Sequence, residues 1–250
     1  MKKYSLVILA ALVVVAGSLR YLSSLARVTA NVSGRELPIY SVETEEKKVA
    51  LSFDAAWGDE DTQKILDILK KEKVHVTFFM TGGWVSEYPE DVKAIKAAGH
   101  DLGNHSETHK NMSQLSKEEQ KEELMKVHEK VKELTGVEME LFRPPYGDYD
   151  DQVILTAKEC GYYPIQWDVD SLDWKNYGTD SVIQTILEHK NLQNGSIILC
   201  HNGAKYTADA LESVIRGLKE KGYEIVPISE LIYRENYHMD TAGRQISDER

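Results

Sequence analysis

Cysteine is scarce in this chain. Cys160 and Cys200 are the only two in 250 residues, too few for a disulfide framework and too far apart for the close Cys/His spacing of a structural zinc site. They read as two buried thiols. Basic residues are in deficit: Lys and Arg total 30 against 41 Asp and Glu, a net charge of -11. An acidic surface is a poor match to phosphate backbones, which argues against nucleic acid as a partner but not against a neutral glycan. Internal repeats and low-complexity tracts are absent. Long apolar runs are absent too, with one exception.

That exception is at the N-terminus. Lys2 and Lys3 precede an apolar run from Ser5 to Leu19, the pattern of an export signal. The run is short for a spanning helix, which takes about 20 residues, but it reaches Leu25 if Arg20 snorkels. Ala16-Gly-Ser18 and Val28-Thr-Ala30 are both small-residue cleavage sites. A cleaved signal and an uncleaved membrane anchor therefore both fit residues 1–30. Either one places the rest of the chain outside the cytoplasm. A buried helix of a soluble domain would show a polar face, and this run has none.

Residues 31–47 read as a linker with one short strand at Leu37–Val42. From residue 48 to 233, strand-like and helix-like patterns alternate. Strands are expected at 48–54, 74–80, 100–104, 140–143, 163–168, 196–201 and 224–226, from short β-branched or aromatic runs. Helices are expected at 59–71, 92–98, 116–134, 150–160, 180–189 and 208–221, from apolar residues at helical spacing. Ser116 with Glu119 three positions on is a capping box. Residues 234–250 read as a loose polar tail. Alternating strands and helices imply parallel strands covered by helices. The expected fold is α/β, a deformed and incomplete (β/α) barrel of about seven parallel strands behind the N-terminal segment. A doubly wound open sheet is the alternative.

Polar residues break the apolar strands at their C-terminal ends: Asp54, His105, Arg143, Asp168, Asp170 and His201. In a β/α barrel that rim carries the active site. His105 and His109 are four apart, and on one helical turn they would share a metal; two surface histidines are the plain alternative. Phe142-Arg-Pro-Pro-Tyr-Gly147 is a turn stiffened by two prolines, able to hold Arg143 and a backbone N–H in fixed places. Trp167-Asp-Val-Asp-Ser-Leu-Asp-Trp174 puts three acids between two tryptophans, suited to stacking on sugars and orienting histidines. His201 ends an apolar strand, where a lone histidine is usually a packed one. Beside acids and an arginine it becomes a proton-transfer candidate.

Taken in order, Ser52-Phe-Asp54 with Gly58, His105 and His109, Arg143-Pro-Pro-Tyr-Gly, Asp170-Ser-Leu-Asp-Trp174 and Leu199-Cys-His201 resemble the polysaccharide deacetylase family (NodB homology, carbohydrate esterase family four) over roughly residues 48–232. The turn Phe-Asp-Ala-Ala-Trp-Gly and the short N-terminal anchor are most similar to its sporulation-associated PdaB-like branch. The resemblance implies a metal-dependent hydrolase removing N-acetyl groups from a cell-envelope polysaccharide, peptidoglycan or chitin-like. It implies a divalent metal, zinc, on His105 and His109, with Asp54 as general base aimed by Arg143. It implies His201 as general acid oriented by Asp173, the Tyr146 N–H on the oxyanion, and Trp174 and Leu199 around the acetyl methyl.

One position departs from the family pattern. The usual Phe-Asp-Asp-Gly supplies a third metal ligand from its second Asp, and here that residue is Ala55. Asp59 is the candidate replacement. Two other functions stay open: a catalytically silent glycan-binding envelope protein of the same fold, supported by Ala55, and an amidohydrolase acting on a small amide or ester.

Overall fold

A computed structural model describes residues 28–29, 31–32 and 34–249. Eight parallel strands form the central sheet: β1 (Lys48–Ala55), β2 (Thr77–Met80), β3 (Asp101–Asn104), β4 (Leu141–Phe142), β5 (Tyr163–Pro164), β6 (Val169–Asp170), β7 (Ile197–His201) and β8 (Glu224–Val226). Seven lie on one path in the order β6-β7-β1-β2-β3-β4-β5, and β8 pairs with the first half of β1. The sheet curls into an incomplete α/β barrel, as the sequence pattern implied. The strand expected over 163–168 is only the short β5 at 163–164; β6 follows it at 169–170, and the two sit at opposite ends of the path. The barrel is therefore open between two strands that are neighbours in sequence.

The period-two alternation of each strand sorts its residues between two cores. On β1, Val49, Leu51, Phe53 and Ala55 face the outer core under the helices, while Ala50 belongs to the inner one. Ser52 and Asp54 share the inward parity of Ala50. On β7, Ile198 and Cys200 face outward and Ile197 inward, which sends Leu199 and His201 inward as well. Near the bottom of the barrel the inward residues are apolar. Near the top they become polar, and the site begins there.

The outer layer comprises α1 (Thr62–Glu72), α2 (Gly82–Glu87), α3 (Pro89–Ala97), α4 (Lys117–Thr135), α5 (Asp151–Glu159), α6 (Thr179–Leu187) and α7 (Thr207–Glu220), with a last turn α8 (Ile228–Leu231). The helix α2 carries no apolar periodicity long enough to be read from sequence. At the start of α4 the capping box is present: Ser116 Oγ accepts from the Glu119 N–H and Glu119 Oε2 accepts from the Ser116 N–H at 2.8 Å. Leu124, Val127 and Val131 are its buried stripe. Both cysteines are free, with Cys200 buried and Cys160 half-buried.

Two expectations are corrected. Residues 234–250 are not a loose tail: Tyr237–Met239 and Arg244–Ser247 form an antiparallel pair, in a four-stranded sheet with Val28–Thr29 and Ser41–Val42. Their polar sequence hides Tyr237, Met239 and Gln245, all buried. The Gln245 amide, bonded to the Tyr233 backbone at both ends, satisfies itself inside. The 31–47 stretch is likewise more than a linker. Ile39 pairs with Ile165 and Ser41 with Ser196, the Ile39 N–H donates to Pro164 O and the Val42 N–H to Gly195 O. Together these segments close the seam that the barrel leaves between β5 and β6. The segment read as a signal or anchor, residues 1–30, lies outside the described residues except for Val28–Thr29. Among the described residues no helix is long and apolar enough to cross a membrane.

Candidate active site

A cavity of about 480 Å³ opens at the C-terminal rim, lined by Asp54, His105, His109, Leu199 and His201 below and by Trp57, Tyr146, Trp167, Asp170 and Trp174 around its mouth. Asp54 and His201 are register partners on the adjacent strands β1 and β7. That placement follows from the shared inward parity of the two strand ends.

Asp54 is 4% exposed. Its Oδ1 accepts from Arg143 Nη1 at 2.7 Å and its Oδ2 lies 3.5 Å from His105 Nε2. Burial pushes the carboxyl up, but Arg143 and the imidazoles of His105 and His201 outweigh it and hold it below its ordinary range. Arg143 is wholly buried. Its other terminal nitrogen is bonded as well: Nη2 donates to Ser52 Oγ at 2.9 Å and to Gln166 O at 3.3 Å. The guanidinium also lies 4.2 Å from the Phe79 ring centroid and 5.6 Å from that of Trp167.

His105 and His109 are not on a helical turn. They flank a loop in which Ser106 and His109 both take left-handed backbone angles, φ 66° and 57°. Such angles cost a non-glycine residue about 1–2 kcal/mol, and local bonds hold them here. Asn104 Oδ1 accepts from the Ser106 N–H at 2.9 Å, and Ser106 Oγ accepts from the His109 N–H at 3.1 Å. The two rings still meet, 5.0 Å apart. Burial pushes His105 down to about 4 and lowers His109, so both are neutral near pH 7. The Arg143 carbonyl accepts from His105 Nδ1 at 2.7 Å, which leaves the Nε2 lone pair facing the cavity.

Two neutral imidazoles, one with its tautomer fixed, fit a divalent cation. The third donor does not follow. Ala55 is buried in the outer core. Asp59 does not line the cavity; its charge is felt by Tyr88 and Asp91, on the far side of the turn. The structure does not bring Asp59 to the histidines as a replacement ligand: it stands in the loop between β1 and α1, outside the residues that line the cavity. Among the described residues, no group of three or more His, Cys, Asp or Glu side chains is placed to hold a metal.

On the opposite wall, Asp173 is fully buried and holds His201. Its Oδ1 accepts from His201 Nδ1 at 2.7 Å, and its Oδ2 from the His201 N–H at 2.7 Å and from Thr207 Oγ1 at 2.6 Å. Burial alone would push both groups toward neutrality, but the pair wins: Asp173 is lowered and His201 is raised above its ordinary value. With Nδ1 donating to Asp173, Nε2 faces the cavity. Trp57 was missed in the sequence. Its ring stacks on His201, 5.6 Å between centroids and 23° between planes. The lengthened turn Ala55-Ala56-Trp57 was the available signal.

Tyr146 sits at φ 60° in the stiff Pro144-Pro145 turn, its ring 67% exposed and 4.5 Å from His109. Trp174 is half exposed at the mouth and Leu199 lies on the cavity floor. Asp168, grouped with the site acids in the sequence, does structural work: its oxygens accept from the Ile197 N–H and Ser196 Oγ.

A curled parallel sheet with this rim defines a hydrolase-type site built on a carboxylate and an imidazole. Residues 41–165 match the family Polysaccharide deacetylase, and the chain belongs to that family. Several relatives agree. The chain is 36% identical over 198 residues to a peptidoglycan-N-acetylglucosamine deacetylase of Bacillus cereus, covering 77% of this chain and 92% of that one. It is 33% identical over 208 residues to the peptidoglycan-N-acetylmuramic acid deacetylase PdaA of Bacillus subtilis, covering 80% and 77%. Among solved structures, a CE4 family pseudoenzyme from Bacillus anthracis superposes with a TM-score of 0.75 at 35% identity, over 84% of this chain and 70% of that one. A mutant of that pseudoenzyme is described as having restored enzymatic activity.

Proposed function

We propose that the protein removes N-acetyl groups from peptidoglycan, working outside the cytoplasm and held to the membrane or exported by its N-terminal segment. One observation carries the reading: two proton-transfer groups at paired positions of β1 and β7 have been driven apart, Asp54 below its ordinary value and His201 above it. Such a split assigns a base and an acid on one cavity. Asp54 takes the proton from a water that attacks the acetamide carbonyl carbon. The tetrahedral oxyanion is met by the Tyr146 N–H. As the C–N bond breaks, His201 Nε2 gives its proton to the leaving nitrogen, and acetate and a free amine depart. Arg143 keeps Asp54 ionised, and Asp173 favours the protonated form of His201. His105 and His109 are the residues that would hold a divalent cation, zinc by the resemblance, which when bound supplies Lewis-acid polarisation of the carbonyl. Trp174 and Leu199 shape the space for the acetyl methyl, and Trp57, Trp174 and Tyr146 offer flat faces to sugar rings. The lengthened turn at residues 55–57 supports a place in the PdaB-like branch and action on the wall during sporulation.

The test is acetate release from N-acetylated peptidoglycan and chitin oligomers, by the untreated protein and after chelation with zinc restored. Release that disappears in His201→Ala, with folding intact, supports the proposal; release unaffected by that change overturns the assignment of the acid. A second reading has its own observation. Ala55 removes the third ligand, and a family member of similar structure is a pseudoenzyme. A protein that binds these glycans with zinc present and releases no acetate would establish it.

A further inference from the structure

A cleft of about 530 Å³ opens between the C-terminal ends of α1 and α3, lined by Leu66, Leu69, Val74, Ala94 and Ala97 and by the imidazoles of His75 and His100. The two histidines stand just before β2 and β3, so the cleft lies at the N-terminal end of the sheet, away from the reaction cavity at the opposite rim. Its volume falls within the roughly 300–1,000 Å³ of small-molecule sites.

Its chemistry is specific. The Val76 N–H donates to His100 Nδ1 at 3.3 Å. Burial, then His75, lowers His100 to about 4, so near pH 7 the ring is neutral. A neutral imidazole that accepts at Nδ1 carries its proton on Nε2. That Nε2–H cannot ligate a metal, and it has no acceptor among the described residues, although His100 is only 7% exposed. With Nδ1 committed to the backbone, Nε2 is the nitrogen left to the cleft, a donor that calls for a partner from outside. Cations gather at the same place. Lys64 and Lys71 of α1 pair with Asp209 and Glu212 of α7. Lys70 and Lys73 instead line the cleft and have no carboxylate partner among the described residues. Asp67 is the one acid on the wall, and its Oδ1 already accepts from Gln63 Nε2 at 2.9 Å. In a chain of net charge -11 this is a local excess of cations beside an apolar wall. No Phe, Tyr or Trp lines it, which leaves a sugar ring nothing to stack on.

We propose that this cleft binds a monocarboxylate with an unbranched apolar chain, a fatty acid. One carboxylate oxygen accepts from His100 Nε2–H, the other meets the ammonium of Lys70 or Lys73, and the chain lies along Leu66, Leu69 and Val74. The inference does not depend on the deacetylase activity. Its test is calorimetry on the full chain at pH 7 with four probes: decanoate, decanol, acetate and inorganic phosphate. Decanoate should bind at least about tenfold tighter than each of the others, because decanol lacks the charge, acetate lacks the chain, and phosphate gains nothing from the apolar wall. Two variants probe the contacts. Lys70→Gln combined with Lys73→Asn removes both ammonium groups at exposed positions, and asparagine tolerates the left-handed backbone of Lys73, φ 55°. His100→Asn removes the Nε2–H and offers Val76 a carbonyl oxygen in place of Nδ1. Each should weaken decanoate by about tenfold or more, the loss expected of a charge-assisted hydrogen bond. Should His100→Asn fail to fold, the lysine variant, altered only at the surface, still decides. Absent decanoate binding, equal binding of decanol, acetate or phosphate, or decanoate affinity that the lysine variant leaves unchanged, each overturns the proposal.

Discussion

Asp173 grips His201 twice, with one carboxylate oxygen on the ring Nδ1 and the other on the backbone N–H of the same residue, each at 2.7 Å. The ring can therefore neither rotate nor change tautomer without breaking a bond to a buried charge. Asp173→Asn should keep the fold but lose the stabilised imidazolium. Turnover should drop about 100-fold or more, within the ~10²–10⁴ range for general acid–base groups. The high-pH limb of the rate profile should move to lower pH. An unchanged limb would mean that His201 is not the acid.

Arg143 has a parallel relation to Asp54. Arg143→Met would leave a buried carboxylate facing only histidines, and breaking such a pair costs about 3–5 kcal/mol. Urea unfolding should show that loss, and the low-pH limb of kcat/KM should move up as Asp54 loses the cation that holds it down. Full stability in this variant would show that the pair is not coupled.

The stack of Trp57 on His201 predicts a smaller effect. A tryptophan face favours the cationic ring, so Trp57→Ala should shift the high-pH limb downward in the same direction as Asp173→Asn, by less. A change in KM alone would make Trp57 a sugar contact only.

Acid should destabilise the protein through histidines buried neutral. Burial, then His75, pushes His100 down to about 4, and burial pushes His105 to about 4. Unfolded histidine takes its proton near pH 6.5. The stability these two supply is thus whole above pH 6.5 and drains away as pH falls toward about 4. His201 has the opposite sign: its contribution is full below pH 6.5 and is lost as pH rises through its raised value. Melting temperatures from pH 4 to 8 should fall on the acid side, and His100→Asn should flatten that slope. A slope identical to that of the parent would exclude His100.

Position 55 offers a test of the metal. Ala55 is fully buried in the outer core, so Ala55→Asp should lower thermal stability in chelator. If the new carboxylate reaches the two imidazoles, zinc should recover that loss by ligand linkage, about 2.7 kcal/mol at a hundredfold excess over Kd. No zinc-dependent shift would place residue 55 beyond their reach.

Much of this was legible beforehand because it is local. Polar residues ending the apolar runs of β1 and β7 announced Asp54 and His201, and Ser116 with Glu119 announced the start of α4. What escaped was non-local. The His105–His109 pair meets through left-handed backbone angles at Ser106 and His109, which no spacing rule for helices encodes. Asp59 looked available because sequence proximity says nothing about the path of the loop between β1 and α1, which leaves it off the cavity wall. The hairpin at 237–247 looked like a tail because its stability comes from partners near residue 41 and from Gln245, a polar side chain satisfied indoors.

That hairpin ties the two ends of the described chain together, with Arg244 and Gln245 paired to Ser41 and Val42. Contacts so distant in sequence form late and slow folding, although the entropy of closing so long a loop grows only logarithmically. A chain emerging from the ribosome can build strands and helices as it lengthens, but it cannot seal the seam until residues 237–247 are made. The same residues that finish the fold also build one wall of a cleft of about 580 Å³, through Asp240, Ala242 and Arg244. A truncated product would thus lose structural closure and that wall together.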